Sequence, residues 1–532
     1  MFRDARALED GAELTTDVCI VGTGAAGVTV ATELAGAGMR VLVVEAGGLE
    51  PDAASEALNE VESSELPVPA TSRQRLFGGT TNSWWGKVAL LDESDFVARE
   101  WLPGSGWPIG RADLDAFYQR ACRILEIPDL RRPPSHAEGA RRRRLAGAVL
   151  EDKVFYWTRD ALNFGAYHRR NAARASNVET LLNANVIGLV QEADGLIGRL
   201  AVATTGGRRF SIRPSVVVLA CGGIENARLM LASRARSAEG VGNASGVVGR
   251  YYMDHPRGPA GTVEATPALS ALWPAYWSGK RLGPGRFRIG VGLTADARND
   301  RRVLNSYVNL NPVYAGVAVE AIRNLYRKRG KALKDRSLVR ALLTGVPDVG
   351  RYLAFKRFGR GRVELLAIEN FTEQEPRAAN AVTLSDRLDA FGNPLARVRW
   401  SLSELDRRSV RVLHEALDAE LRAKGMGRVR PPIVSEDDDP WRVSNDAAHH
   451  MGTTRMGTDP KSSVVDPECR VHGIENLYIA GSSVFPTGGA ANPTLTIMAL
   501  AARIADRVRR SSESAIAVPS GRGSVAASQE TV

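Results

Sequence analysis

The chain has 532 residues, too many for one compact core, with the 44% hydrophobic and 24% charged residues of an ordinary globular protein. Its net charge of +10 does not describe a nucleic-acid-binding surface, because residues 318–362 hold 13 Lys/Arg against Glu320, Asp335 and Asp348 and carry the whole excess. No run of 18 apolar residues is present, which excludes a transmembrane helix of ordinary length.

From the N-terminus, Met1 to Asp17 lacks the apolar stretch of a secretory signal, so a cytoplasmic protein is expected. Val18-Cys19-Ile20-Val21 reads as a buried parallel strand, Gly22 to Gly27 as a turn, the small residues to Leu34 as a helix, and Val41 to Val44 as a second strand. Val216 to Ala220 repeats the strand pattern, runs into Cys221-Gly222-Gly223 and precedes a helical pattern from Glu225 to Leu231. Leu477 to Ala480 is a third such strand, and a helix is expected from Pro493. Cys19, Cys122, Cys221 and Cys469 form no Cys-x-x-Cys pair, so reduced, structural thiols and no metal site are expected.

Gly22-Thr23-Gly24-Ala25-Ala26-Gly27 is a Gly-x-Gly-x-x-Gly set between a strand and a helix. The first glycine permits the tight turn, the second lets a pyrophosphate approach the backbone, and the third lets helix and strand pack closely. The phosphates then sit at the helix N-terminus. Glu45 ends the next strand, where a carboxylate accepts from a ribose diol and repels a 2′-phosphate. The fingerprint alone leaves FAD and NAD both open.

Four stretches join this fingerprint: Phe77-Gly78-Gly79-Thr80-Thr81-Asn82-Ser83-Trp84-Trp85-Gly86, Cys221 to Leu229, Gly249-Arg250-Tyr251-Tyr252-Met253-Asp254-His255-Pro256, and His449-His450-Met451-Gly452-Thr453. With Gly489-Ala490-Ala491-Asn492-Pro493-Thr494-Leu495-Thr496, they make a chain that resembles the glucose–methanol–choline (GMC) oxidoreductases from about residue 15 to 510. The C-terminal motifs look most like pyranose oxidases, glycoside 3-oxidases and sugar dehydrogenase subunits. The resemblance implies an α/β fold: a Rossmann-like FAD-binding domain with an antiparallel-sheet (α+β) substrate domain. It implies FAD contacts at Gly22, Gly24, Ala25, Ala26, Gly27, Glu45, Ala46, Gly79, Thr80, Asn82, Ser83, Val186, Ala220, Gly481, Asn492, Pro493 and Thr494. Related pyranose enzymes bind FAD covalently through a histidine in the Gly-Gly-x-x-x-His-Trp stretch. Here Ser83 stands in that place, so noncovalent FAD is expected.

Flavin-dependent alcohol oxidation needs a hydride acceptor, supplied by the flavin, and a base for the hydroxyl proton. The family pattern assigns the base to His449, with adjacent His450 the alternative. His168, His255 and His472 are expected to be structural. Asn492 fits two readings, a hydrogen bond to the substrate oxygen and an N-cap for the helix at Pro493; the first is preferred. Glu373 and Gln374 are candidate hydroxyl binders or members of a solvated strand, and Trp84 and Trp85 either approach the flavin or fill core.

The expected segments are an FAD-binding domain at 1–90, 171–256 and 448–510, a helical connection with lid elements at 91–170, a substrate domain at 257–447, and a disordered tail at 511–532. The expected reaction takes a CH–OH group, of a sugar or glycoside in first preference, to the carbonyl. Dioxygen and a quinone-like compound are both open as acceptor. A non-sugar alcohol substrate, a flavin-containing lyase and a basic binding protein are the rival readings. Segment 318–362 suits a solvated helical pair that caps the entrance or makes a homo-oligomer contact. It also suits a peripheral membrane helix, or a cationic collector of acidic substrate.

Overall fold

The computed structural model describes residues 1–131, 145–158, 162–273, 276, 280–282, 285–313, 363–430 and 448–517. The basic segment 318–362 and the end of the chain from 518 lie outside them, so the expectations placed there are not addressed by the fold.

Two eight-stranded sheets organise the chain. In the first, Phe2–Asp4, Val178–Leu182, Val41–Val44, Glu13–Val21 and Arg209–Leu219 lie side by side and parallel. Val18 pairs with both Val41 and Val216, so the two apolar runs seen in the sequence flank the fingerprint strand. Leu477–Ile479 runs parallel beside the end of Arg209–Leu219, and Ile197–Ala203 and Asn185–Gln191 extend the edge antiparallel. Strands buried on both faces must be apolar throughout, and Val41 to Val44 are all buried. Helix Ala25–Leu34 follows the glycine turn and packs against the C-terminal helix Thr494–Ala517. That last helix runs through Ala517, a few residues past the expected domain end at 510; a helix already docked over its first turns extends at one hydrogen bond per residue.

The second sheet is antiparallel, in the order Gly427–Arg430, Arg257–Ala265, Leu365–Thr372, Ser306–Pro312, Gly285–Leu293, Leu150–Trp157 and Lys87–Val88. Its last two strands come from segments read as FAD-binding and as connection. They join this sheet because Trp157 registers with both Arg286 and Lys87, so distant segments complete one surface. Side chains alternate along each strand. One face therefore carries Glu369 and Phe371, Tyr307 and Asn309, Arg288, Phe155 and Trp157. The other face receives helix Glu404–Ala423. That helix starts at a capping box, Ser403 with Asp406, and buries Val410, Leu413, Leu417 and Leu421 at helical spacing. Its His414 Nε2 lies 2.8 Å from Asn370 Oδ1. Among the described residues no helix is long and apolar enough to cross a membrane.

Candidate active site

A cavity of about 900 Å³ opens between the sheets, near the top of the ~300–1,000 Å³ range of small-molecule sites. Its floor is the fingerprint turn. Gly22 has φ +109°, and a β-carbon there would stand 2.6 Å from Ala220 O. A β-carbon on Gly27 would stand 1.9 Å from Gly22 O, so this glycine is the helix–strand contact and does not line the cavity. A β-carbon on Gly24 would meet no protein atom, although Gly24 lines the cavity; the space above it is open. That is the cradle a pyrophosphate needs. Glu45 lines the same end and accepts from the Thr23 and Gly47 amides at 3.0 and 2.9 Å. Burial pushes its carboxyl above the ordinary range. Ala25, Ala26, Ala46, Gly79, Thr80, Ser83, Val186, Ala220, Gly481, Pro493 and Thr494 also line the cavity. These residues fit FAD. Asn82 does not reach the wall: its amide donates to Phe77 O and Gly79 O and its oxygen accepts from Asn163, so it braces the turn.

At the other end a short antiparallel bridge brings two motifs together. Met253 and Met451 exchange backbone hydrogen bonds of 3.0 and 2.8 Å, and the same register sets His255 opposite His449. Asp254 Oδ1 clamps both segments by accepting from the His255 and His449 amides at 2.6 and 2.9 Å. Burial lifts this carboxyl to about 6. The imidazoles meet edge to face, Nδ1 to Nδ1 at 2.9 Å. His255 Nε2 lies 3.3 Å from Gly488 O, a carbonyl that can only accept. Its hydrogen therefore sits on Nε2, and its Nδ1 is an acceptor. His449 must then donate from Nδ1, which leaves a lone pair on its Nε2. That atom faces Asn492 Nδ2 at 3.5 Å. Burial and the charges of Lys87 and Arg257 hold His449 well below the usual imidazole range, with His255 and His450 acting in the same sense. His255 is held at about 4, chiefly by burial.

Asn492 Oδ1 is buried without a partner among the described residues, and it does not cap the helix that follows. His450 stacks on Tyr252 and, among the described residues, has no counterpart of this relay. Trp84 donates to Leu162 O and packs on Phe164, whereas Trp85 is 86% exposed at the cavity mouth.

Glu373 and Gln374 do not reach the cavity. Glu373 is fully buried in a two-point ion pair with Arg99, at 2.6 and 2.8 Å, and also accepts from the Asn305 amide. Gln374 accepts from the Asp254 amide and Trp400 Nε1, both at 2.9 Å, so it steadies the strand that presents His255. Both follow strand Leu365–Thr372, where the chain has turned into the core. The roof is made instead by Lys87, Trp157, Arg257, Arg288, Asn309, Glu369 and Phe371. The two-residue alternation of Glu369 and Phe371 signals that face in the sequence. His255, expected to be structural, touches His449.

The parallel sheet, glycine cradle and histidine pair define an FAD-dependent oxidoreductase, an enzyme that acts on CH–OH groups. Residues 17–267 match the family model described as FAD dependent oxidoreductase, and residues 376–501 match GMC oxidoreductase. The chain thus joins an FAD dependent oxidoreductase domain to a GMC oxidoreductase C-terminal domain. It is 27% identical to 6′′′-hydroxyparomomycin C oxidase of Streptomyces lividus, over 93% of this chain and 92% of that protein. It is 37% identical to C-glycoside 3-oxidase of Arthrobacter globiformis over 24% of each chain. In fold it is similar to formate oxidase of Aspergillus oryzae, with TM-score 0.53 and 17% identity over 95% of this chain and 100% of that one.

Proposed function

We propose that the chain oxidises a sugar or glycoside hydroxyl to the carbonyl, with His449 as base, Asn492 as the residue that orients the oxygen, and noncovalent FAD. The observation that carries this reading is the placement of His449, with Nε2 3.5 Å from Asn492 Nδ2 and Nδ1 2.9 Å from His255 Nδ1, an arrangement that with the His255–Gly488 contact favours a lone pair on Nε2. Bound FAD supplies the acceptor for the carbinol hydride. The residues that would hold it are the Gly22–Ala26 turn, Glu45, Gly79, Thr80 and the segment Asn492–Thr494. His449 Nε2 accepts the hydroxyl proton. Its Nδ1–H stays with His255 throughout, so the ring keeps its aim as it becomes imidazolium. Asn492 offers an amide N–H to the substrate oxygen beside His449 Nε2.

A sugar class is supported by the names of the relatives, a hydroxyparomomycin oxidase and a glycoside 3-oxidase, both matched in sequence. Ser83 supports noncovalent attachment. The segments 1–90, 171–256 and 448–510 serve the cofactor and 257–447 the substrate, with strands Lys87–Val88 and Leu150–Trp157 added to the substrate side. Dioxygen or a quinone-like compound closes the cycle, and oxygen uptake measured against dye reduction distinguishes them. The reading is tested by anaerobic flavin bleaching over a panel of sugars, glycosides, choline and aromatic alcohols. Sugars or glycosides should bleach fastest; a preference for hydrophobic alcohols overturns the sugar class, and a flavin that no turned-over substrate bleaches points to a lyase.

A further inference from the structure

The ionisable groups that line the cavity are distributed unevenly. Toward the cofactor end, Arg73, Arg75 and Arg228 are matched by Glu225, Asp389 and Glu45. Arg73 and Arg75 pair with Glu225 at 2.7 and 3.0 Å, and Arg228 pairs with Asp389. Burial opposes the charge on Glu225, but Arg228, Arg75 and Arg73 outweigh it and hold the carboxyl at about 2. The roof is different. Among the described residues it presents Lys87, Arg257 and Arg288 against the single carboxylate of Glu369, a formal net charge of two.

The arrangement of these groups is specific. Arg257 Nη2 donates to Glu369 Oε1 at 2.9 Å. Lys87 Nζ donates to the Tyr307 hydroxyl at 2.7 Å. It also stands 4.2 Å from the centroids of Phe155 and Phe371, and 5.1 and 5.2 Å from those of Tyr307 and Trp157. Four ring faces favour an ammonium, while burial and the Arg288 charge oppose it. Asn309, also on the roof, is 2% exposed and its Oδ1 has no partner among the described residues. Arg288 Nη2 donates to Asn311 Oδ1 at 2.7 Å and to Leu310 O at 3.3 Å, neutral acceptors that hold the guanidinium in place, so an anion that enters this largely desolvated wall meets a positive potential.

We propose that the substrate carries an anionic group, a carboxylate or a phosphate, which docks on Lys87, Arg257 and Arg288 while His449 and Asn492 act on the reacting hydroxyl. This rests on the reading above that the roof is the substrate side of the cavity. The cations supply charge-assisted donors. The rings of Phe371 and Trp157 cover the apolar face of the carbon skeleton.

The test uses the purified holoenzyme, with the flavin spectrum as reporter of binding and its anaerobic bleaching as reporter of reaction. Hexoses of gluco, galacto and manno form are compared as four matched types: uncharged, 2-amino, uronate and 6-phosphate. Small open-chain hydroxy acids and uncharged diols complete the set. At least one anionic type is expected to bind about tenfold or more tightly than its uncharged match, the worth of one charge-assisted hydrogen bond. Uronate against phosphate tells which anion the roof takes. Binding of uncharged or amino sugars as tightly as both anions, with no anion preference anywhere in the set, overturns the proposal. Hydroxy acids that beat the diols while every sugar stays silent would uphold the anion site and sink the sugar class. Lys87→Met, which fills the ring cage, and Arg288→Met are each expected to cut the anion-to-neutral ratio of kcat/KM by about tenfold, with FAD content retained. A ratio unmoved by both, or an equal loss for charged and uncharged substrates, would assign the roof cations to structure alone.

Discussion

The floor and the roof of the cavity face the same space but are built by different means. The floor is backbone. Gly22, Gly24 and Gly27 come from six consecutive residues, and what matters is the side chains they lack. The roof is side chain. Lys87, Trp157, Arg257, Arg288, Asn309 and Phe371 come from six strands spread over nearly 300 residues. A cofactor common to a family can be held by a short motif, whereas selectivity for a substrate is assembled by a sheet. The histidine pair lies between the two and uses both devices, a backbone bridge at Met253 and Met451 and a side-chain relay above it.

The sharpest way to break this comparison is at that junction. His449→Ala is expected to slow flavin reduction by roughly 10²–10⁴-fold with FAD still bound, as loss of a general base does. His450→Ala should act much less, because its ring stacks on Tyr252 outside the relay. Stopped-flow reduction of both variants decides, and the reverse ranking would move the base by one residue.

The floor is tested next. A β-carbon at Gly27 meets the Gly22 carbonyl, a backbone atom that cannot rotate away, so Gly27→Ala should cost ~3 kcal/mol or more and release the cofactor. Gly24→Ala meets only the open cradle and should keep the fold while weakening FAD binding. Denaturant melts and flavin content separate the two effects; equal loss of stability in both would mean the cradle is not at Gly24.

Between these in kind, and smaller in effect, is the relay. His255→Phe removes the acceptor for His449 Nδ1–H. It should lower the reduction rate roughly 5–150-fold, the ~1–3 kcal/mol of a lost buried partner. His255→Gln keeps a side-chain acceptor and should recover part of that rate. Failure of Gln to do better than Phe would make His255 a packing residue only.

A pH profile gives the smallest change. Because His449 is held below the usual imidazole value, it stays unprotonated as pH falls through about 6.5. The reduction rate should therefore be flat from pH 8 to below 6.5 and fall only at lower pH, where the depressed group finally takes a proton. A half-maximal rate at 6.5 or above would contradict the burial and the charges assigned to it. Acid precipitation should leave the flavin in the supernatant, since Ser83 cannot bond to it; flavin retained on the chain would require another attachment residue.

Much of the fold could be read in advance because its signals are local. Val18 to Val21, the glycines, Val41 to Val44 and Glu45 are close enough in sequence that strand, turn and strand are implied by spacing and shape. His449 and Asn492 were readable for the same reason, through short motifs. Glu373 and Gln374 misled because polar residues after a strand look alike whether they face a ligand or a buried arginine. Only Arg99, 274 residues away, settles which. Asn82 misled similarly, since an amide beside a cofactor loop can brace the loop as well as touch the ligand.

The sequence by itself thus determined the nucleotide fold and the cofactor class, because each is carried by a contiguous motif whose backbone geometry is its function, and it named His449 and Asn492, which the fold sets side by side. Tertiary structure alone decided that His255 fixes the hydrogen on His449 and that three cations share one wall. Tautomer and wall charge depend on distances between side chains far apart in the chain, and electrostatics inside a desolvated cavity answers to those distances, not to order along the sequence.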